Sequence, residues 1–72
     1  MMSAELKKFI DGNITEKMLS ETERLDRAKD LAARLACSFI IEDNLQASKR
    51  YARLFKEADD IELAAIENHA AH

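Results

Sequence analysis

The sequence predicts an all-α fold, an antiparallel helical hairpin (about residues 14–41 and 44–68) preceded by a short N-terminal helix. The 72 residues include no proline and only one glycine, and 35% of them are charged, which is typical of helices. Apolar residues also recur at alternating spacings of three and four, the helical period. We expect a single small domain over 1–72, with 1–12 as a short helix or arm and 13–70 as the hairpin.

The first helix is predicted over about residues 4–11. Ser3 is a suitable N-cap, and Leu6, Phe9 and Ile10 follow at positions that share one helix face. Gly12 stands where a left-handed C-terminal cap is expected.

The second helix has two competing start signals. A capping-box pattern, in which a cap residue precedes a glutamate by three positions, begins at Asn13 and again at Ser20. The earlier start is preferred because Ile14 and Met18 extend the apolar series that continues at Leu25. This choice makes Ser20 an exposed serine inside a helix that spans about 14–41.

The third helix is predicted over about 44–68. Asp43, with a glutamine three residues later, gives a cap-like pair directly after the second helix. Asp59 could cap a fresh helix, so a break at that position stays open as an alternative.

The two long helices carry matching heptad series, which predict a coiled-coil-like seam between them. Folding the chain about Asp43 sets each residue of one series opposite a residue of the other, for example Leu35 opposite Tyr51. Ala28 and Ala58 then form a thin layer where the helices approach closely. The series are Leu25, Ala28, Ala32, Leu35 and Phe39 on the second helix, and Ala47, Tyr51, Leu54, Ala58, Ile61 and Ala65 on the third.

This register also places opposite charges beside the seam, which favours the pairing. It sets Arg24 and Arg27 level with Asp59, Asp60 and Glu62, and Asp30 level with Lys56.

A second apolar set remains outside the seam, and we expect it to be covered by a second copy of the chain. The predicted homodimer has a four-helix-bundle-like core, with the first helix as an arm that docks in cis or in trans. The off-seam residues are Leu31, Ile40, Leu45, Ala52, Phe55, Leu63 and Ile66. The candidate partner-binding surface consists of Phe9, Leu31, Phe55, Leu63 and Ile66.

A basic face on the third helix supports an alternative function, nucleic-acid binding. Tyr51 and Phe55 interleave with the basic residues, so phosphate contacts and base stacking could combine there. The net charge of −3 argues against broad, non-specific binding of nucleic acid. The dimeric hairpin resembles, in architecture alone, the RNA-binding four-helix-bundle regulators of plasmids. The candidate residues are Arg34, Lys49, Arg50, Arg53 and Lys56.

Residues that could support catalysis or metal binding do not form a recognisable motif, so we predict no enzyme activity, cofactor or metal site. His69 and His72 lie three apart but lack convincing further ligands. Cys37 is the only cysteine, which excludes an intrachain disulfide, and it is predicted to be a small packed residue rather than a nucleophile.

The function that these patterns favour is that of a small non-enzymatic adaptor, inhibitor or other regulator that acts by protein–protein contact as a homodimer. The sequence shows no export signal and no apolar run long enough to span a membrane, so we expect a cytoplasmic protein. Short helical chains of this kind are common among accessory proteins of phages and plasmids.

Overall fold

The computed structural model describes the backbone of residues 2–70 and the side chains of residues 2–68. Within these residues the chain forms three helices and no strand: α1 (Ala4–Asn13), α2 (Glu21–Ile41) and α3 (Leu45–Ala70). The all-α prediction is therefore confirmed. In this described part of the chain, no helix has the length and apolar character needed to cross a bilayer.

Helix α1 begins where the sequence predicts and ends two residues later. The Ser3 hydroxyl accepts a 3.1 Å hydrogen bond from the backbone N–H of Leu6, as an N-cap does. The prediction of a left-handed cap at Gly12 is wrong, because Gly12 lies inside the helix with a negative φ. The helix ends instead at Asn13, whose side-chain amide donates to the carbonyl of Phe9.

The predicted start of α2 at residue 14 is wrong, and the later signal operates. Ser20 is the N-cap, and its hydroxyl and the Glu23 carboxylate form a reciprocal capping box. Residues 14–20 form a non-helical linker in which Ile14 is buried but Met18 is 95% exposed. The linker is required because α1 folds back onto the hairpin, and a continuous helix could not reverse direction.

The turn between α2 and α3 is a Schellman motif built on Asp43. This residue takes the left-handed conformation (φ 64°), and its N–H donates to the carbonyl of Ile40. The N–H of Asn44 donates to the carbonyl of Phe39, which completes the motif. Asn44 rather than Asp43 caps α3, since its side-chain oxygen accepts from the N–H of Ala47. The predicted cap of α3 is therefore wrong by one residue, whereas the chain reverses direction where predicted.

Helix α3 is continuous through Asp59, which decides against the alternative of a break there. It extends to Ala70, two residues past the predicted end. The helix has 26 residues against 21 in α2, so its C-terminal turns project beyond the start of α2. Ala65 of the predicted seam is consequently exposed.

Helices α2 and α3 pack along the predicted seam. Ala28 and Ala58 are completely buried, in agreement with a thin layer where the two helices approach. Leu25, Ala32 and Leu54 are also buried. Near the turn the pairing is less regular than predicted, because the ring of Tyr51 stacks on that of Phe39, with centroids 5.5 Å apart. Large aromatic side chains reach beyond the residue directly opposite, so they do not follow the simple register. The other half-buried members of the seam are Leu35, Ala47 and Ile61.

Helix α1 docks in cis on one side of this hairpin. Leu6 and Ile10 are buried against it, and burial of each such side chain contributes about 1.5–3 kcal/mol. The ring of Phe9 packs at a tilt on Tyr51, with centroids 5.8 Å apart. This side of the hairpin is therefore covered, and the opposite side is not.

Candidate interaction surface

The side of the hairpin opposite α1 carries a second heptad series on each helix. On α3 the series contains Ser48, and on α2 it contains Ala36. The buried hydroxyl of Ser48 donates a 2.8 Å hydrogen bond to the Ala36 carbonyl, which shows that the two series lie on the same side. We call this surface the uncovered side. Its apolar members are Ala33 and Ile40 of α2, and Leu45, Ala52, Phe55, Leu63 and Ile66 of α3.

Large apolar side chains of the uncovered side are strongly exposed at both of its ends. Ile40 and Leu45, beside the turn, are each 60% exposed, and Ile66, near the far end of α3, is 59% exposed. Phe55 is half-buried and packs against the core between these ends. A shallow depression between the helices is lined by Phe55 and Ala33 together with the charged residues Asp26, Arg27, Lys29 and Asp30. The exposed apolar residues thus lie near both ends of the hairpin, with Phe55 and charged residues between them.

A charged cluster lies in the middle of this surface. The Nζ atom of Lys29 is 3.0 Å from Oδ1 of Asp59 and 3.1 Å from Oε1 of Glu62, and it lies 5.8 Å from the centroid of the Phe55 ring. The hydrogen bond to Asp59, which has the larger effect, and the one to Glu62 raise the pKa of Lys29 above its usual value. The side chains of Lys29 and Asp59 are 23% and 37% exposed, so this cluster ties α2 to α3 at a partly solvent-exposed position.

The ion pairs predicted between α2 and α3 have the wrong basic residues. Asp59 and Glu62 do bind a basic residue of α2, as expected for salt-bridge partners, but that residue is Lys29. Arg24 and Arg27 turn towards the N-terminal segment instead. Arg24 binds Asp11, and Arg27 binds Glu16 in the linker. Asp30 and Lys56 each pair along their own helix, with Arg34 and Asp60 respectively. Prediction of a register from Cα spacing does not fix these contacts, because long side chains reach several positions.

The structure brings together three of the five residues predicted to bind a partner. Phe55, Leu63 and Ile66 lie on the uncovered side at helical spacing. Phe9 belongs to α1 and is half-buried against Tyr51 on the covered side. Leu31 is half-buried and lies two helical turns from Arg24, on the face of α2 that is turned towards α1.

The predicted nucleic-acid-binding residues are exposed but only partly adjacent. Lys49, Arg53 and Lys56 line one shallow depression on the outer face of α3, and Arg50 lies a quarter turn away. Arg34 binds Asp30 on α2. The aromatic part of the hypothesis is weakened, because Tyr51 packs between Phe9 and Phe39, and Phe55 packs on the core.

Three residues with possible reactive or metal-binding chemistry, Cys37, His69 and His72, were considered in the sequence. Cys37 is exposed, so the prediction that it is a packed residue is wrong; it lies on α2 away from the seam. The side chains of His69 and His72 lie outside the described residues. Among the side chains of 2–68, no three metal-ligating residues cluster.

Sequence reasoning missed Lys29, Ala36 and Ser48, which hold the two helices together on the uncovered side. The signal that could have found them is the second heptad series, which includes polar members and therefore does not stand out as an apolar pattern.

Comparison of the chain with protein-family models, with curated proteins and with solved structures gives no match.

Proposed function

We propose that this chain is a small non-enzymatic regulatory protein that acts by protein–protein contact as a homodimer, with the uncovered side of the hairpin as the contact between the two copies. The observation that carries the proposal is the second heptad series on both α2 and α3. Such a period is typical of helices that pack lengthwise on other helices. A second hairpin of the same length supplies two partner helices and gives a four-helix core.

The distribution of apolar residues favours a copy of this chain over a short peptide. The exposed side chains extend from Ile40 and Leu45 at the turn to Ile66 near the other end, so a partner must match the full hairpin. A two-fold axis allows one surface to serve both partners. The Lys29 cluster sets one cation against two carboxylates and keeps a net charge of −1, so a symmetric contact has to hold the clusters of the two copies apart.

Two neighbouring isoleucines provide a matched test of the contact. Ile40 belongs to the uncovered side, whereas Ile41, which is 85% exposed, points a quarter turn away from it. Light scattering should find the wild type and Ile41→Glu as dimers and Ile40→Glu as a monomer, because the charge would be buried only in the last case. Equal masses for the two variants would contradict the proposed contact, and a monomeric wild type would contradict the homodimer.

Nucleic-acid binding remains the second candidate, supported by the depression that Lys49, Arg53 and Lys56 line. A dimer presents this depression twice. If it binds RNA or DNA, the affinity should fall steeply with salt, and Arg53→Glu should abolish binding. An electrophoretic shift at low salt that shows no complex with duplex, hairpin or single strand would exclude this candidate.

A further inference from the structure

Helix α1 is held on the hairpin by polar contacts at its two ends. At its start, the Ser3 N–H and hydroxyl both donate to the carboxylate of Glu57, each over 2.7 Å. At its end, the guanidinium of Arg24 donates to Asp11 over 3.3 Å and to the carbonyl of Ile14 over 3.1 Å. The contacts to Glu57 and Asp11 are exposed to solvent, so water and salt compete with them.

Between these ends, Leu6, Phe9 and Ile10 of α1 pack on the hairpin. Leu6 and Ile10 are buried four residues apart, and Ile14 of the linker is buried four residues further on. The surface beneath them is thus a groove that accepts one amphipathic helix. The groove also selects the direction of that helix, since Glu57 accepts from the N–H and hydroxyl of Ser3 at its start and Arg24 donates to the carboxylate of Asp11 near its other end.

The guanidinium of Arg24 is incompletely satisfied in the closed arrangement. Its Nε atom is buried and, among the residues that the structure describes, has no hydrogen-bond partner. A buried donor without a partner is costly. A helix that supplied a second acceptor at this end would bind the groove better than α1 does.

The sequence of the linker is compatible with a helical extension of α2. Residues 14–20 contain neither glycine nor proline, and they directly follow the helix-start signal at Asn13. Met18, 95% exposed in the linker, continues the heptad series of α2 when the segment is helical. Extension of α2 towards its N-terminus would therefore carry α1 away from the groove and expose it.

We propose that this groove is a binding site for an amphipathic helix of a partner protein, and that α1 is a lid that occupies it in the absence of the partner. The fitting helix has apolar residues at i and i+4 and a third directly after its last turn, as Ile14 follows α1. It has a serine or similar N-cap at the Glu57 end, a carboxylate eight residues after the cap to meet Arg24, and a second acceptor for Nε of Arg24. The groove lies opposite the surface proposed for the homodimer, so the two proposals are independent.

The test uses a fluorescent peptide with the sequence of residues 2–15 as a surrogate for the partner helix, and the full chain as receptor. Asp11→Lys in the full chain weakens the lid but leaves the groove unchanged, because the substituted side chain carries a positive charge that repels Arg24. We expect this variant to bind the peptide several-fold more tightly than the wild type, since a larger fraction of the molecules is open. Asp26→Lys, the same charge change on the exposed face of α2, should bind like the wild type.

Two further measurements guard against trivial outcomes. Hydrogen exchange of Asp11→Lys should be faster at the α1 amides but unchanged at the centre of α2. If that variant fails to fold, Ser3→Ala, which removes the cap and one bond to Glu57, replaces it. A peptide with Ile10→Asp should not bind.

The proposal is overturned if a folded lid variant binds the peptide no better than the wild type does. Failure of the homodimer would appear in the light-scattering mass and would leave the peptide result unaffected.

Discussion

The hydroxyl of Ser48 donates a 2.8 Å hydrogen bond to the carbonyl of Ala36 and so joins α3 to α2 on the uncovered side. Ser48 is the buried polar residue of the described core, at 3% exposure. A small residue is needed there because the two helices lie close together, and its polar atom is satisfied without help from solvent.

Two replacements of Ser48 should separate the contribution of its small size to stability from the contribution of its hydrogen bond. Ser48→Ala should lower the free energy of unfolding by less than about 1 kcal/mol, because the greater helix propensity of alanine offsets part of the lost bond. Ser48→Leu should cost about 1–3 kcal/mol by overfilling the site. Urea unfolding at a fixed chain concentration measures both. Ser38→Leu, at an exposed position of α2, is the control, and an equal loss there would contradict this explanation.

The Ala28–Ala58 layer should be equally intolerant of size. Ala28→Leu places a large side chain between two helices at a position with no exposed surface, so we expect a loss of at least about 1–3 kcal/mol. Ala64→Leu on the exposed face of α3 should change the free energy of unfolding by less than about 0.5 kcal/mol. If both variants have the same urea midpoint, the helices are not in close contact at Ala28.

The capping box should make stability depend on pH in the acid range. A hydrogen bond from the Ser20 backbone lowers the pKa of Glu23 below 4.5 in the folded chain. Its contribution is therefore complete above pH 4.5 and is lost as the pH falls through the lowered folded value. The melting temperature of the wild type should exceed that of Glu23→Ala near neutral pH, and the difference should shrink in acid. Glu21→Ala, in the same helical turn but outside the capping box, should show a smaller dependence.

The Lys29 cluster should make stability depend on pH in the alkaline range. Its bonds to Asp59 and Glu62 raise the pKa of Lys29 above 10.5, so its contribution is present below that value and is lost as the pH rises through the higher folded value. Lys29→Met should melt at a lower temperature than the wild type at neutral pH, because two carboxylates lose their cation. This difference should decrease above about pH 10.5. Lys56→Met removes an exposed pair and should have little effect; an equal effect would argue against the cluster.

The hairpin was predictable from the sequence because its evidence is periodic and repeated. The apolar series of α2 and α3 each span several turns, and both indicate a reversal near Asp43. The start of α2 was not predictable in this way. Asn13 and Ser20 are both good local caps, and the choice between them depends on whether α1 folds back, which is a tertiary property.

The candidate surface was predictable only in part, for a related reason. Phe55, Leu63 and Ile66 were recognisable as surplus apolar residues. Phe9 and Leu31 have the same character, but their exposure depends on where α1 docks. The ion pairs depend on side-chain reach, so Lys29 could not be preferred over Arg24 from spacing alone.

The most direct test of the proposed homodimer asks which methyl groups contact the second copy. A sample that mixes ¹³C-labelled and unlabelled chains allows intermolecular NOEs to be measured by isotope filtering. We predict intermolecular cross-peaks at the methyl groups of Ile40, Leu45 and Ile66, on the uncovered side, and none at Leu6 and Ile10, which α1 buries against the hairpin. Cross-peaks confined to Leu6 and Ile10, or none at all at high chain concentration, would contradict the account.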